Sequence, residues 1–158
     1  MDNDHILVID DDPSVRFFVE EALRRIGHTV VGVATAEEAL VRLAKHPPAL
    51  MIIDLQLTGM SGMKLLEKLH GAGGDVPSIV LTAHGVPFNA REALALGALD
   101  FLPKPCTTAE LRTTVAGALD PARAARHRRA FLDSLVRHPE QSVDQARQEV
   151  SSQQPEGM

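Results

Sequence analysis

The sequence predicts an α/β protein built on a doubly wound, five-stranded parallel sheet with helices on both faces, followed by a C-terminal helical extension. Two observations support this fold class. Short apolar runs alternate with segments of helical periodicity, and several runs are apolar throughout, as in strands that are covered on both faces. Repeated strand, helix, strand units with short loops give right-handed crossovers, which place a parallel sheet between two layers of helices.

Five short apolar runs are the predicted strands. They are ILVI at 6–9, TVVGV at 29–33, ALMII at 49–53, SIVL at 78–81 and ALDFL at 98–102. Each has the length of an ordinary strand, and all are far shorter than the roughly 20 residues that a membrane span needs.

The first predicted helix has a marked start and end. Asp12 is a typical N-cap, Pro13 suits the first helical position, and Gly27 ends the segment. The apolar stripe of this helix is made of Val15, Phe18, Val19, Ala22, Leu23 and Ile26. An apolar stripe of this kind predicts an amphipathic helix that packs on the sheet.

Caps also mark the later helices. The spacing of a capping box begins the second helix at Thr35 with Glu38 and the fifth helix at Thr107 with Glu110. Helical patterns at about 61–70 and 87–96 predict the third and fourth helices, and the predicted domain closes at residue 119.

Composition and charge exclude several classes of protein. The 158 residues suffice for one domain of ordinary size plus an extension. The single Cys106 is typical of a reducing compartment, where it is expected to be a packed thiol, and no leader-like segment opens the chain, so we expect a cytoplasmic protein without membrane contact. The net charge of −5 disfavours a general nucleic-acid binder, and no direct nucleic-acid binding is expected.

The chain changes character after residue 119. Residues 120–138 are basic with a thin apolar stripe and predict a helical extension, and residues 139–158 are polar and predict a flexible tail. Four arginines lie in the extension, at positions 123, 126, 128 and 129, and they favour a solvated helix face over a nucleic-acid surface. The extension could serve dimerisation or docking, and the pattern leaves these alternatives open.

Acidic and polar residues follow the predicted strands. Asp10, Asp11 and Asp12 follow the first strand and Asp54 the third, while Thr82 follows the fourth and Lys104 the fifth. Ligands of open α/β sheets bind outside the carboxyl ends of the strands, so these side chains should converge at one edge. The second strand contributes none, as expected if it lies at the side of the sheet.

A cluster of carboxylates needs a cation. Two unit charges about 4 Å apart repel by roughly 4 kcal/mol at an effective dielectric near 20. A ligand set of oxygen atoms favours Mg²⁺, with Mn²⁺ as an alternative. Acids that hold a metal beside a hydroxyl and an ammonium are typical of a phosphoryl-transfer site.

Four segments together resemble a response-regulator receiver domain of two-component signalling. They are VIDDDP at 8–13, MIIDLQLTGMSG at 51–62, VLTAHG at 80–85 and ALDFLPKP at 98–105, and the resemblance covers residues 4–119 of a domain placed at 1–119. It implies a flavodoxin-like strand order, 2-1-3-4-5, and a phosphorelay partner, either a sensor histidine kinase or a phosphotransfer protein.

The resemblance also implies a role for each site residue. Asp54 would take the phosphoryl group, and Mg²⁺ would be held by Asp10, Asp11, Asp54 and the backbone carbonyl of Gln56. Thr82 and Ala83 would bind the phosphoryl group with Lys104, and Phe101 would turn inward as Thr82 moves. The Lys104–Pro105 bond would be cis, and His84 would modulate dephosphorylation.

Two positions depart from the commonest pattern of the family. Thr58 stands where proline is frequent, which predicts a less rigid loop after Asp54. Phe101 lacks the hydroxyl of the frequent tyrosine, so no hydrogen bond from that group can fix its inward position.

The resemblance implies an output through a protein surface and no dedicated enzymatic activity. This surface comprises the fourth helix, fifth strand and fifth helix, and includes Leu94, Ala95, Phe101 and Leu111. It would control a partner, with homodimerisation on phosphorylation as one outcome. The alternative is that the chain is the receiver part of a larger DNA-binding transcription regulator.

A phosphatase of the haloacid-dehalogenase type is a more remote alternative. DDDPSV at 10–15 loosely matches its D-x-D motif, with Asp10 as the nucleophile and Asp12 as the acid and base. Such enzymes need a further acidic pair at a strand end after the lysine, and the acids beyond Lys104 are scattered. This interpretation also leaves Asp54 without a role.

Overall fold

Five strands and four helices make up the part of the chain that the computed structural model describes, which is 5–71, 76–83, 97–120, Ala122 and Arg129. In chain order they are β1 (His5–Ile9), α1 (Pro13–Arg24), β2 (Thr29–Val33), α2 (Ala36–Lys45), β3 (Leu50–Asp54), α3 (Gly62–Gly71), β4 (Ser78–Ala83), β5 (Ala98–Lys104) and α4 (Thr108–Leu119). The helix predicted at 87–96, the tail at 139–158 and nearly all of the extension at 120–138 lie outside the described residues.

All five strands are parallel and lie in the order β2-β1-β3-β4-β5. This order confirms the flavodoxin-like topology. Strand β3 is central, β1 lies between β2 and β3, and β2 lies at one side of the sheet, as its lack of functional residues predicts. The sheet brings the carboxyl ends of β1, β3, β4 and β5 to one edge.

Two apolar cores fill the space between the sheet and the helices. Successive side chains of a strand point to opposite faces, so Ile6 and Val8 of β1 pack with α1 and α4, while Leu7 and Ile9 pack with α2 and α3. Every residue of β1 and β3 is buried. The burial confirms that both faces of the central strands are covered, as their uninterrupted apolar character predicts.

Helix α1 is shorter than its apolar pattern predicts. It ends at Arg24, and the positive φ of Gly27 (98°) lets the chain reverse there. Ile26 therefore lies beyond the helix and is 48 % exposed, and Phe18 is 36 % exposed, so the placement of these two residues on the buried stripe was wrong. Val19, Ala22 and Leu23 are the buried residues of α1.

Side chains cap the helices at the carboxyl edge of the sheet. The Asp12 carboxylate accepts the N–H of Ser14, and the Thr35 hydroxyl accepts the N–H of Glu38. At α4 the capping box is complete, because Thr107 and Glu110 each accept the backbone N–H of the other. Among the helices described, none is long and apolar enough to cross a membrane.

Candidate functional site

Three carboxylates meet at the carboxyl edge of the sheet. Asp10 follows β1 directly, Asp54 is the last residue of β3, and Asp11 lies in the turn before α1. One oxygen atom from each of the three lies within 4.8 Å of the others. Asp10 is 0 % exposed and Asp54 5 %, whereas Asp11 is exposed to solvent. The site thus has two buried acids and one acid at its mouth.

Lys104, the last residue of β5, reaches across β4 to the two buried acids. Its Nζ atom donates a hydrogen bond to Asp54 Oδ2 (2.9 Å) and forms an ion pair with Asp10 Oδ2 (2.7 Å). Burial alone would lower the pKa of the Lys104 ammonium, but the contacts with Asp10 and Asp54 outweigh burial and raise its pKa. The ammonium is therefore protonated at neutral pH and neutralises part of the acidic charge.

Asp10 is the most buried acid of the cluster. Burial raises the pKa of its carboxyl, and the Lys104 cation and the backbone N–H of Asp12 offset only part of this effect. A carboxyl whose pKa is raised by burial, beside a specific charge partner, marks this cluster as a candidate functional site.

Backbone N–H groups orient both buried acids. The N–H of Asp12 donates to Asp10 Oδ1 (2.9 Å), and the N–H of Gln56 donates to Asp54 Oδ1 (2.9 Å). In each carboxylate, Oδ1 therefore accepts the backbone N–H of the residue two positions later, and Oδ2 contacts the Lys104 ammonium. The Asp12 side chain caps α1 and is not directed to this cluster.

The ligand set fits a hard divalent cation. All the candidate ligand atoms are oxygens, and the site offers three carboxylates within the span that one ion can bridge. Gln56 lies two residues after Asp54 in the chain, and its N–H donates a hydrogen bond to the Asp54 carboxylate. Mg²⁺ commonly uses one or two carboxylates and fills its remaining positions with water and phosphate oxygens.

The other predicted site residues lie on β4 and β5. Thr82 and Ala83 pair with Pro103 and Lys104, so they end β4 beside the lysine. The Thr82 hydroxyl is 3.5 Å from the carbonyl oxygen of Ala83, at the limit of hydrogen bonding. The peptide bond between Lys104 and Pro105 is cis.

Phe101 packs in the core between the sheet and helices α2 and α3. It is 8 % exposed, and its neighbours in this core include Ile53 and Val80. The side chain thus occupies an inward position in this structure. His84, Leu94 and Ala95 lie outside the described residues.

The structure adds three contacts that sequence reasoning missed. Arg16 of α1 donates from Nη1 to the carbonyl oxygen of Asp10 (2.6 Å), and Thr58 donates from its hydroxyl to Asp11 Oδ2 (3.0 Å). Glu37 of α2 accepts the N–H of Met60 (3.1 Å). Helices that follow parallel strands begin at the carboxyl edge, so their first turns were the signal that could have identified Arg16 and Glu37.

Thr58 ties the loop after Asp54 to the acidic turn. The absence of proline at this position predicted a less rigid loop, but the threonine hydroxyl bonds Asp11 and the following Met60 is held by Glu37. The loop is therefore anchored at two points. A proline at position 58 would lose the first contact, because proline has no hydroxyl.

Comparison with known proteins gives one family. Residues 6–116 match the family described as the response regulator receiver domain. The two-component response regulator PhoP of Pseudomonas aeruginosa is 40 % identical over 106 residues, which are 67 % of this chain and 47 % of PhoP. The DNA-binding transcriptional regulator NtrC of Salmonella typhimurium is 36 % identical over 100 residues, 63 % of this chain and 21 % of NtrC. The chain thus spans about half or less of the length of these relatives.

Solved structures agree with the sequence comparison. The crystal structure of the receiver domain of NtrX from Brucella abortus is similar with a TM-score of 0.69 and 30 % identity, over 73 % of this chain and 98 % of that one.

Proposed function

Because the chain belongs to the response regulator receiver domain family, we propose that it takes a phosphoryl group onto Asp54 from a phosphohistidine of a sensor kinase or phosphotransfer protein. One observation carries the proposal. The Asp54 carboxylate, 5 % exposed at a strand end, lies 2.9 Å from the Lys104 ammonium and beside two further acids. The site combines a nucleophile, a fixed cation and a set of metal ligands.

The proposed transfer forms one bond and breaks another. An oxygen of the Asp54 carboxylate attacks the phosphorus of the phosphohistidine, and the P–N bond breaks with its electron pair returning to the imidazole nitrogen. The products are an aspartyl phosphate and a histidine. The chain acts in this scheme as an acceptor and not as a dedicated enzyme.

Asp10, Asp11, Asp54 and the Gln56 carbonyl would hold Mg²⁺ in this reaction, with Mn²⁺ as a substitute. The bound ion would supply neutralisation of the negative charge that the acids and the phosphoryl oxygens share. Lys104 is protonated and lies beside Asp54, so its ammonium can form an ion pair with the phosphoryl oxygens after the transfer.

The conformational change on phosphorylation would be transmitted from the site to the surface through β4 and β5. A phosphoryl group adds about −1.5 to −2 charges at neutral pH, which gives the Thr82 hydroxyl and the Ala83 N–H a new acceptor. Among the described residues, the hydrogen bond given to the Thr82 hydroxyl is the long one to the Ala83 carbonyl (3.5 Å), which would oppose movement of the hydroxyl only weakly. Phe101, two residues before Pro103 in the paired strand, would respond in the core, and the surface formed with α4 would change.

The output of this domain is a regulated partner. Curated relatives are longer than this chain and include a DNA-binding transcriptional regulator, which favours as a second candidate that the domain controls a DNA-binding region of a larger regulator. Phosphorylation-dependent homodimerisation is compatible with either candidate. The single Cys106 supports a cytoplasmic location.

The phosphatase alternative fits the geometry poorly. Its nucleophile would be Asp10, which is 0 % exposed, and it assigns no role to Asp54, the acid that lies beside Lys104 at the end of β3. Its acid and base, Asp12, is occupied as the cap of α1.

Phosphorylation with a small donor tests the proposal. The chain and its Asp54→Ala and Asp10→Asn variants are incubated with acetyl phosphate and Mg²⁺, and intact mass is measured. We expect the mass of one phosphoryl group on the wild type, none on Asp54→Ala, and slower gain on Asp10→Asn. A mass gain that persists in Asp54→Ala and disappears in Asp10→Asn would instead support the phosphatase assignment.

A further inference from the structure

Asp11 differs from the other two acids because it is exposed. A solvated aspartate side chain samples several rotamers, and fixing it as a ligand costs conformational entropy. In this structure the Thr58 hydroxyl donates to Asp11 Oδ2 at 3.0 Å. The contact holds the Asp11 carboxylate in the orientation in which one of its oxygens lies within 4.8 Å of those of Asp10 and Asp54.

The loop that carries Thr58 is itself held in place. Before Thr58, the Gln56 N–H binds Asp54 Oδ1 (2.9 Å), and after it the Met60 N–H binds Glu37 Oε1 (3.1 Å). At the end of the loop, the Gly62 N–H donates to the Leu55 carbonyl (3.0 Å). The backbone that carries Thr58 is therefore held on both sides of this residue.

We propose that Thr58 is a positioning residue that orients Asp11 as a metal ligand and so sets the Mg²⁺ affinity of the site. This inference rests on the proposed Mg²⁺ binding. The hydroxyl occupies one lone pair of Oδ2 and leaves Oδ1 and the remaining lone pairs for a cation. Loss of a hydrogen-bond partner behind a ligand typically lowers metal affinity by about 10 to 100-fold.

A competing role for the Thr58 hydroxyl predicts the opposite change in Mg²⁺ affinity. If the hydroxyl competed with the cation for Oδ2, its removal would free a ligand atom and tighten Mg²⁺ binding. The direction of the change in affinity therefore separates a positioning role from competition. Thr58 offers a matched pair for this comparison, because Thr58→Val replaces the hydroxyl with a methyl group of similar size and Thr58→Ser retains the hydroxyl.

The experiment measures the Kd of Mg²⁺ for the full chain by isothermal titration calorimetry, since the sequence contains no Trp or Tyr to report binding by fluorescence. We expect Thr58→Val to raise Kd by about 10-fold and Thr58→Ser to stay within about 2-fold of wild type. The thermal unfolding midpoint in EDTA checks that both variants are folded to the same extent. An equal or lower Kd in Thr58→Val, or an equal rise in both variants, would overturn the inference.

A second comparison links the effect to Asp11. In an Asp11→Ala background, Thr58→Val should change Kd by less than about 2-fold, because the hydroxyl has lost the carboxylate through which it acts. A 10-fold effect that persists in that background contradicts the role assigned to Thr58. If the wild-type chain binds no Mg²⁺, the metal step of the proposed function fails. If the wild type and Thr58→Val bind Mg²⁺ equally well, only the role assigned to Thr58 fails.

Discussion

The Lys104 ammonium donates a hydrogen bond of 2.9 Å to the Asp54 carboxylate across the intervening strand β4. The same ammonium is 2.7 Å from Asp10, so one cation bridges the ends of three strands. The bridge keeps two buried carboxylates together before any metal binds. It also means that the fold and the chemistry of the site depend on the same ion pairs.

Replacement of Lys104 should therefore cost stability in a pH-dependent way. Lys104→Met leaves Asp10 and Asp54 buried without their cation, and we expect the free energy of unfolding in EDTA to fall by about 2 to 3 kcal/mol at pH 7.5. The loss should be smaller at pH 5 than at pH 7.5, because burial raises the pKa of Asp10 and so favours its protonation as pH falls, and it should also be smaller in saturating Mg²⁺.

Urea unfolding followed by circular dichroism measures this effect. Lys64→Met is the matched control, because Lys64 is exposed on α3 and its ion pair with Glu67 is long, at 3.8 Å. That variant should change the free energy of unfolding by less than about 0.5 kcal/mol at either pH. A loss in Lys104→Met that is the same at both pH values would contradict the assignment.

The raised pKa of Asp10 predicts how stability depends on pH without metal. A carboxyl whose folded pKa lies above its ordinary value of 3.8 stabilises the fold below that ordinary value and loses this contribution as pH rises through the raised pKa. Asp10→Asn removes this dependence. In EDTA the free energy of unfolding of Asp10→Asn, relative to wild type, should therefore increase as pH rises through this range.

Chemical unfolding at a series of pH values tests this prediction. A relative stability of Asp10→Asn that falls with rising pH would show that Lys104 outweighs burial at Asp10.

Mg²⁺ should stabilise the wild-type fold through Asp11. Ligand at 100 times its Kd adds about 2.7 kcal/mol to the free energy of unfolding. Asp11→Ala should lose most of this increment, while its stability in EDTA changes little because Asp11 is exposed.

Asp12→Ala is the control within the same acidic turn. It removes the cap of α1 and should cost about 1 kcal/mol in EDTA and in Mg²⁺ alike, with the increment from Mg²⁺ retained. If Asp12→Ala lost the increment and Asp11→Ala kept it, the ligand assignments of the two acids would have to be exchanged.

The sequence pattern was sufficient to predict the parallel sheet and the convergence of Asp10, Asp54 and Lys104, while the strand order came from the family resemblance. These predictions succeed because strand periodicity and the parallel topology place strand ends at one edge whatever the details of the loops. Contacts between loops could not be predicted in the same way. The bond from Thr58 to Asp11 depends on the rotamers of two surface side chains, and no periodic pattern encodes them.

The error at α1 has a related cause. Phe18 and Ile26 share the helical spacing of Val19 and Leu23, but the sheet covers only part of the predicted stripe and the helix ends before Ile26. Hydrophobic periodicity predicts which residues share a face of the helix, while the width of the covered face depends on how α1 and α4 pack together.

The last prediction concerns Gly62, the first residue of α3. A Cβ atom there would collide with the carbonyl oxygen of Asp54 and lie 2.7 Å from Leu55 Cα. Both are backbone atoms of the segment that carries Asp54, the proposed phosphoacceptor, and cannot rotate away. Although alanine is the better helix former, we expect Gly62→Ala to lower the free energy of unfolding by about 1 to 3 kcal/mol and to slow phosphorylation by acetyl phosphate.

Gly32→Ala is the matched control for Gly62→Ala, because the new Cβ in β2 would collide with Glu20 Oε1, the end of a flexible side chain. Rotation of Glu20 relieves that collision, so Gly32→Ala should cost less than about 1 kcal/mol and leave the phosphorylation rate unchanged. Chemical unfolding and the rate of mass gain distinguish the two variants. If both glycines tolerated alanine equally, the backbone of Asp54 and Leu55 would have to be free to move away from α3, and close packing of Gly62 could not be what positions Asp54.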